Sequence, residues 1–392
     1  MGKLGAQRCL SSTATARLRP APSDETSTHL QFTQKLAASV VGKDLISTTE
    51  WNKEQLDLVL ALAHQLASNR FSMDLGEAYR HLNFAILFLD TRSTRTRASF
   101  EVAATELGGH AQVFDGAEMR LGMKGSGESV QDTAGALSRY FAGVGIRYGD
   151  QCKHNSIPYG HGNKLLREFA EHSRAPVFSM GDDLDHPCQA LADIMTWQQV
   201  YGNLTKKKLL LTWAPSTWNR ALCSSQASVL LASRYGMDIC IANPEGYDMD
   251  QDALEFMEAN CRATGSNFDV IHDSCSGYAN ADIVYPRHWV SRTNRSGAPF
   301  DKFLEAEELA KVSNLNQWTC SEDKFAIARP GAIFSHCMPV ERGHEATDEV
   351  VDGPRSVMLQ VAENRLHVQK GLMMAVLNRS NGLSTLEALG LN

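Results

Sequence analysis

Residues 83–107 read NFAILFLDTRSTRTRASFEVAATEL and contain, in order, an apolar run, a polar loop and an amphipathic stretch. The apolar run predicts a buried strand over residues 84–89. The amphipathic stretch predicts a helix over residues 94–107, which Gly108 and Gly109 terminate. A buried strand that leads through a short loop into a helix is the building unit of an α/β fold.

Short apolar runs and longer amphipathic stretches alternate along the rest of the chain. Further strands are predicted over residues 111–114, 144–147, 175–180, 208–213, 237–242, 268–272, 281–285 and 332–335. Further helices are predicted over residues 129–140, 163–172, 186–201, 221–235, 251–264 and 362–377. This alternation predicts parallel sheets covered by helices on both faces. The least regular stretch is 286–318, with 291–297 as its expected mobile core.

Length, composition and charge exclude several classes of protein. The chain has 392 residues, which at roughly 150 residues per domain predicts two domains. Hydrophobic residues make up 43% and charged residues 21%, and these shares exclude a disordered or collagen-like chain. The net charge of -7 argues against a nucleic-acid partner. No apolar run approaches the ~20 residues of a membrane span, so we expect no membrane partner.

The first 23 residues differ from the rest of the chain. They contain Lys3, Arg8, Arg17 and Arg19, and no acidic residue precedes Asp24. This composition fits either an organelle transit peptide or a basic disordered tail. A transit peptide would direct the protein to the mitochondrial or another organelle matrix, whereas a tail would leave it in the cytoplasm. The nine cysteines are scattered, which predicts reduced thiols.

The polar loop DTRSTRTR, residues 90–97, predicts an anion site. It opens a helix, and a helix N-terminus presents unpaired N–H groups and the positive end of the helix dipole. Ser93, Thr94 and Thr96 add hydroxyl groups, and Arg95 adds a planar cation that can bind an anion through two donors. Helix capping accounts for one hydroxyl but not for three, so we interpret the loop as a phosphate site.

Three other segments lie where ligands bind in α/β proteins. HPCQ, residues 186–189, brings His186 and Gln189 to one side of a first helical turn, although a His-Pro start is also a common cap. HCMP, residues 336–339, ends a predicted strand, where Cys337 could equally be a small buried hydrophobe. AENR, residues 362–365, places Arg365 in the first turn of the last helix. The glycine-rich dinucleotide and P-loop motifs and the HExxH zinc motif are missing from the sequence.

In this order, the segments resemble the aspartate/ornithine carbamoyltransferase family over about residues 45–378. STRTR, residues 93–97, is similar to its carbamoyl-phosphate motif, HPCQ to its H-P-x-Q motif and HCMP to the H-C-L-P of the ornithine branch. Arg147 matches the arginine that the family uses between the first two motifs. The segment DIVYPRHW, residues 282–289, lacks the S-M-G of plain ornithine enzymes and resembles the knotted branch, which includes N-acetylornithine enzymes. Glu345 and Glu341 replace a lysine and an arginine of that branch, which predicts a change in the acceptor that is tolerated.

The resemblance implies an α/β fold of two doubly wound parallel-sheet domains bridged by helices, with a backbone trefoil knot in the second domain near residues 213–219. We expect residues 36–185, with 362–378, to form a carbamoyl-phosphate-binding domain. Residues 186–361 would form the domain that binds the acceptor, and residues 1–35 a tail or transit peptide. The resemblance also implies a homotrimer with shared active sites, in which the loop of Lys124 reaches a neighbouring subunit.

The family's reaction transfers the carbamoyl group of carbamoyl phosphate to an amine. The resemblance implies an ornithine-like amino acid as the acceptor, a citrulline-like ureido product and released phosphate, with no metal or organic cofactor. The alternative is an inactive paralogue that acts as a binding or regulatory protein. A third class, a phosphate-using enzyme such as a dehydrogenase, lacks its glycine motif. Retention of Arg95, Arg147 and His186 favours the active enzyme.

The family's roles are carried over to the matching residues. Binding of the phosphate is assigned to Ser93, Thr94, Arg95 and Thr96, and Arg147 would reach both the phosphate and the carbonyl oxygen. The carbonyl oxygen would be polarised by His186 and Arg365. The carbamoyl NH₂ would be held by Gln189 and by the backbone of Cys337 and Met338. The catalytic set is therefore Arg95, Arg147, His186, Gln189, Cys337 and Arg365. The candidates for acceptor binding are Arg287, Arg342 and Lys124.

Overall fold

The structure is a computed structural model that describes residues 34–72, 79–90, 92–121, 127–149, 159–292 and 302–377. Two parallel sheets organise this part of the chain. The first sheet has the order β2-β1-β3-β4 and comprises β1 (Asn83–Phe88), β2 (His110–Asp115), β3 (Gly143–Tyr148) and β4 (Val177–Asp182). The second has the order β7-β6-β5-β8-β9 and comprises β5 (Lys208–Trp213), β6 (Asp238–Ala242), β7 (Phe268–Ile271), β8 (Ile283–Arg287) and β9 (Ile333–Phe334). The predicted architecture of two parallel-sheet α/β domains is confirmed.

The helices lie before, between and after the strands in sequence. Those of the first half are α1 (Gln34–Ala38), α2 (Lys53–Ser68), α3 (Thr94–Glu106), α4 (Val130–Tyr140), α5 (His161–His172) and α6 (Pro187–Tyr201). Those of the second half are α7 (Cys223–Ser233), α8 (Gln251–Thr264), α9 (Lys302–Val312), α10 (Glu322–Phe325), α11 (Asp348–Val351) and α12 (Met358–Leu377). None of the described helices combines the length and the apolar character of a membrane span.

Alternating side chains of the first sheet enter two different apolar cores. On β1, Phe84 and Ile86 belong to a large core, whereas Ala85 and Leu87 face a smaller one. Because successive strand residues point to opposite faces, this division shows that the sheet is buried on both sides. The large core continues into the second sheet, where β5 and β6 contribute to it. The two sheets therefore share one apolar interior.

Helix α12 brings the end of the described chain back to helices of the first half. It packs against α2 and α3 of the first half and against α6, and almost all of its residues from Asn364 onward are buried. A helix that is buried on all sides is held by tertiary packing rather than by an amphipathic face. The polar residues Asn364 and Arg365 on this helix are therefore candidates for a specific role.

Three sequence predictions differ from the structure. The last helix starts at Met358, so Arg365 lies two turns inside it and not in its first turn. The stretch 286–318, predicted to be irregular, contains α9, and only residues 291 and 292 of its expected mobile core are described. Helix α2 was not predicted, although Asn52 and Gln55 form a capping box at its start. The predicted domain boundaries and the trefoil knot stay predictions.

Candidate functional site

A cavity of about 260 Å³ lies where the carboxyl ends of the two sheets meet. Strand order reverses between β1 and β3 in the first sheet and between β5 and β8 in the second. Ligands of open α/β sheets bind outside the carboxyl ends of the strands at such switch points. The cavity brings together eleven of the predicted residues, namely Ser93, Thr94, Arg95, Thr96, Arg147, His186, Gln189, Arg287, Cys337, Met338 and Arg365.

The N-terminus of α3 forms the first wall of the cavity. Ser93 is the N-cap, and its Oγ accepts a hydrogen bond from the Thr96 amide at 3.3 Å and donates to Thr96 Oγ1 at 3.0 Å. The guanidinium of Arg365 donates to the same Thr96 oxygen at 3.3 Å. Burial, more than any neighbouring charge, lowers the pKa of Arg95. One hydroxyl thus caps the helix, and Thr96 links the helix start to α12.

Arg147 and His186 pack over Gly181, at the end of β4. Arg147 extends from β3 and donates from Nη1 to the Met180 carbonyl at 2.8 Å. Gly181 has a φ of +109°, and a Cβ atom added to it would lie 2.1 Å from Arg147 Nη1 and 2.9 Å from His186 Cδ2. Only glycine accommodates this backbone conformation and this approach of two side chains.

The surroundings of His186 favour the neutral form of its imidazole. Burial is the main cause that holds its pKa well below the ordinary value, and the nearby charges of Arg365, Arg147 and Arg95 act in the same direction. Its Nδ1 is buried and has no hydrogen-bond partner among the described residues. A neutral imidazole offers one N–H donor and one acceptor, so His186 can donate to a carbonyl oxygen without carrying a charge.

The backbone that carries His186 is fixed by Asp185. One carboxylate oxygen of Asp185 accepts from Ser47 Oγ at 2.7 Å, from the Thr48 amide at 2.8 Å and from Thr48 Oγ1 at 2.9 Å. The other oxygen accepts from the His186 amide at 2.7 Å. Burial raises the pKa of Asp185 to about 6 in spite of these bonds. The start of α6 is therefore tied to a segment more than a hundred residues away.

Gln189 and Arg365 form a second buried network. Arg365 Nη1 donates to Gln189 Oε1 at 2.9 Å, and Gln189 Nε2 donates to Asp193 Oδ1 at 3.0 Å. These bonds fix the amide so that its oxygen lies toward Arg365. A carbonyl oxygen has a second lone pair, so Gln189 can still accept one N–H from a ligand. Burial raises the pKa of Asp193 to about 7, and Ser228 also donates to its carboxylate.

The HCMP segment forms the wall opposite α3. Cys337 and Met338 both line the cavity, and the Met338 amide donates to His336 Nδ1 at 2.9 Å. Met338 has a φ of +58°, a conformation that non-glycine residues adopt rarely and that recurs at functional sites. The peptide bond between Met338 and Pro339 is cis.

Sequence reasoning missed Arg220, which lines the cavity beside Arg287. Both guanidinium groups are buried and contact the carboxylate of Glu345, at 3.4 Å from Arg220 and 3.1 Å from Arg287. Although burial raises the pKa of Glu345, the charges of Arg287, His336 and Arg220 hold it well below the ordinary value. A buried glutamate needs cationic partners, and Glu345 was the signal in the sequence that could have led to Arg220.

Of the residues predicted to bind the acceptor, one lies away from the cavity and one cannot be placed. Arg342 is exposed, and its guanidinium pairs with Asp348 and Asp352 at 2.7 Å. Lys124 lies outside the described residues. Six arginines line the cavity, and no acidic residue does so within the described part of the chain. Three or more histidine, cysteine or acidic side chains do not converge as metal ligands anywhere in the described ranges.

Two family models match the chain. The model of the aspartate/ornithine carbamoyltransferase carbamoyl-P binding domain matches residues 43–199. The model of the aspartate/ornithine carbamoyltransferase Asp/Orn binding domain matches residues 214–376. Together, they cover most of the chain; the first contains the whole first sheet, and the second contains every strand of the second sheet except β5.

Individual relatives match over nearly their whole length. The chain is 32% identical to an ornithine carbamoyltransferase of Pyrococcus abyssi over 87% of this chain and 98% of that protein. It is 33% identical to an N-acetylornithine carbamoyltransferase of Xanthomonas campestris pv. campestris over 86% of this chain and 98% of that protein. Among solved structures, an acetylornithine transcarbamylase complexed with acetylcitrulline superposes with a TM-score of 0.77 at 30% identity and covers 85% of this chain and 99% of its own.

Proposed function

Given that this chain belongs to the aspartate/ornithine carbamoyltransferase family and is a carbamoyltransferase, we propose that it transfers the carbamoyl group of carbamoyl phosphate to the amine of an ornithine-like amino acid. The products are a citrulline-like ureido compound and phosphate. Relatives named ornithine carbamoyltransferase and N-acetylornithine carbamoyltransferase support this acceptor class. A related transcarbamylase variant has been solved with carbamyl phosphate and N-succinyl-L-norvaline, which supports both substrates.

The observation that carries the proposal is the wall of cations in the cavity. Three arginines lie close enough to His186 to lower its pKa, namely Arg95 from α3, Arg147 from β3 and Arg365 from α12. Arg365 is buried and Arg95 and Arg147 are half-buried, and like charges in such positions repel one another, so a dianion that binds among them relieves the repulsion. Carbamoyl phosphate supplies two negative charges on a molecule small enough for a cavity of about 260 Å³.

In the proposed reaction, the neutral amine attacks the carbonyl carbon and a C–N bond forms. The C–O bond to the phosphate then breaks, and the phosphate leaves with the bonding electron pair. The amine loses its proton either to the departing phosphate or to a nearby base. Negative charge develops on the carbonyl oxygen, where His186 and Arg365 act as fixed donors, and on the phosphate, which Arg95 and Arg147 bind.

A product screen tests the proposal. Purified protein is incubated with carbamoyl phosphate and each of several amines, and ureido products are identified by mass. Arg95→Gln should lower kcat/KM for carbamoyl phosphate by about 100- to 1000-fold, the usual loss when one donor to a developing charge is removed. Arg97→Gln is the matched control, because Arg97 pairs with Glu101 on the exposed side of the same helix. Lack of turnover and of carbamoyl phosphate binding would instead favour the inactive paralogue.

We also propose that the active unit is a homotrimer with shared sites, in which Lys124 acts on a neighbouring subunit. The support is the resemblance of the Gly-rich loop 122–127 to the family's intersubunit loop. Lys124→Ala removes the residue that a neighbouring subunit would supply, and Arg365→Gln removes a residue of the subunit's own site. When the two inactive variants are mixed and reassociated, some sites should combine intact residues from both and regain activity. Light scattering should give the mass of three chains. A monomeric mass, or the absence of complementation, would contradict shared sites.

The basic segment 1–23 is proposed to direct the protein to an organelle matrix, as its arginine-rich and serine-rich composition suggests. A fusion of residues 1–35 to a fluorescent protein should reach the organelle, and the chain without residues 1–23 should not. A cytoplasmic location of both the fusion and the full chain would support the disordered tail instead.

A further inference from the structure

Asp193 is a buried carboxylate one helical turn behind Gln189 on α6. It is fully excluded from solvent and does not itself line the cavity. Its Oδ1 atom accepts a hydrogen bond from Gln189 Nε2 at 3.0 Å. Its Oδ2 atom accepts from Ser228 Oγ on α7 and from the Tyr285 hydroxyl on β8, the latter at 3.4 Å. The carboxylate therefore connects a residue of the cavity with two elements of the second half of the chain.

A carboxylate in this position is costly to bury. Its hydrogen-bond donors within the described ranges are neutral, and Arg365 acts on it through its charge without a direct bond. Exchange of a buried charged group for a well-packed apolar one is often neutral or stabilising. Stability alone therefore does not account for an acid at position 193, and its contact with Gln189 indicates a role at the cavity.

The bond from Gln189 to Asp193 decides which way the side-chain amide faces. An amide can turn by half a revolution with almost no change of shape, and its oxygen and NH₂ group then exchange places. Asp193 accepts from the NH₂ group, and Arg365 donates to the oxygen at 2.9 Å. The reversed amide would set its oxygen against a carboxylate and its NH₂ group against a guanidinium. The two partners together fix the Gln189 oxygen as an acceptor for an N–H group of a ligand.

Asp193 is also linked to the opposite wall of the cavity. The Tyr285 hydroxyl interacts with both Asp193 and Cys337. The Tyr285 ring stacks on the ring of His336, with 6.1 Å between the centroids and 23° between the planes. Cys337 and His336 belong to the HCMP segment, whose backbone is the other acceptor proposed for the carbamoyl NH₂ group. One carboxylate is thus connected to both sides of the proposed NH₂ subsite.

We propose that Asp193 is a positioning residue that fixes Gln189 as an acceptor, and that it thereby makes the site select a carbamoyl group over an acetyl group. The inference rests on the proposed function, since it concerns the selectivity of the carbamoyl-phosphate site. Acetyl phosphate has the shape of carbamoyl phosphate but carries a methyl group in place of the NH₂ group. It would leave the fixed Gln189 oxygen unpaired, and a site that is built to bind an N–H group rejects the analogue that lacks it.

Calorimetry on the native protein and on Asp193→Ala tests the inference with these two phosphates. The native protein should bind carbamoyl phosphate at least about tenfold more tightly than acetyl phosphate. In Asp193→Ala, the Kd of carbamoyl phosphate should rise about tenfold, while the Kd of acetyl phosphate should change by less than about threefold. A purely structural role would raise both Kd values alike, and that result would overturn the inference. A native protein that binds neither compound would refute the proposed function itself.

Ser228→Ala is the matched control, because it removes a hydrogen bond to the same carboxylate and leaves the bond to Gln189 in place. The ratio of the two Kd values should stay native in this variant. Asp193→Asn keeps an oxygen for Gln189 and should retain most of the selectivity. Asp193→Ser has a side chain too short to reach Gln189, and its hydroxyl can bond to a carbonyl of its own helix, so it should lose selectivity as alanine does. These two variants decide the question even if Asp193→Ala fails to fold, since equal selectivity in both would refute the role of Asp193.

Discussion

Replacing Gly181 by alanine should disable the carbamoyl-phosphate half of the site while the fold remains intact. The added Cβ would lie 2.1 Å from Arg147 Nη1, whereas ordinary van der Waals contact begins near 3.4 Å. Arg147 would have to move by more than about 1 Å, and its bond to the Met180 carbonyl would break. The ring of His186, 2.9 Å from the same Cβ, would shift as well.

The size of the effect follows from these displacements. A misplacement of about 1 Å in a catalytic group can cost about 100-fold in rate, and loss of one donor to a developing charge costs about 100- to 1000-fold. We therefore expect kcat/KM for carbamoyl phosphate to fall about 100-fold, or about 2.7 kcal/mol in the activation barrier. Alanine at a φ of +109° adds backbone strain of about 1–3 kcal/mol. A protein of ordinary stability, about 5–15 kcal/mol, remains folded under that strain.

The assay is steady-state kinetics at saturating acceptor, with thermal unfolding measured on the same samples. Gly265→Ala is the matched control, because Gly265 also has a positive φ, +68°, but a Cβ there meets nothing within 4 Å. Both variants should lose stability, and only Gly181→Ala should lose activity. If Gly181→Ala kept the native kcat/KM, the close packing of Arg147 and His186 over this glycine would not matter for catalysis.

Three other predictions address the buried polar groups. Glu345→Gln should lower the free energy of unfolding, measured by urea titration, by about 3–5 kcal/mol, because Arg220 and Arg287 lose their shared carboxylate. A loss below about 1 kcal/mol would contradict this ion pairing. Burial lowers the pKa of His288 to about 4, below the ordinary value of 6.5. As the pH falls through 6.5, the unfolded state therefore takes up a proton that the native state does not, and the native state loses stability. The free energy of unfolding of the native protein should therefore fall by about 2 kcal/mol more than that of His288→Gln between pH 7 and pH 5. If the two free energies of unfolding changed in parallel with pH, His288 would not be held neutral. Thr96→Val keeps the shape of the side chain but removes the oxygen that accepts a hydrogen bond from Arg365. Calorimetry should show that this variant binds carbamoyl phosphate about tenfold more weakly. An unchanged affinity would show that Thr96 does not contribute to the binding of carbamoyl phosphate.

The sequence predicted those parts of the site whose residues are close together in the chain. STRTR, HPCQ and HCMP are each contiguous, and each stands at a strand end or a helix start, where local physical chemistry already suggests a ligand site. The structure brings all three to one cavity. Arg147 is isolated in the sequence and was assigned through the family resemblance alone. Arg365 was singled out within AENR, but its role also came from the resemblance.

The residues that were missed or misplaced depend on distant partners. Arg220 stands between Asn219 and Ala221 with no local motif, and its role arises from Glu345, far along the chain. Arg342 was a candidate for acceptor binding as a cation that could hold a carboxylate, but Asp348 and Asp352 hold it at the surface. Helix α12 extends one turn further back than predicted, because packing against α2 and α6 stabilises residues that carry no start signal.

The two acidic residues that follow HCMP make physical sense only together with the arginines of the second sheet. Glu345 is fully buried and Glu341 half-buried, and an uncompensated buried carboxylate would cost several kcal/mol. Arg220 and Arg287 compensate Glu345, and Arg220 also lies 3.9 Å from Glu341. Loss of the charge at position 345 without a matching change at position 220 or 287 should therefore cost stability. Transfer of the lysine of the N-acetylornithine enzymes to position 345 alone should therefore disturb folding, because it would place a third cation beside Arg220 and Arg287 in the core.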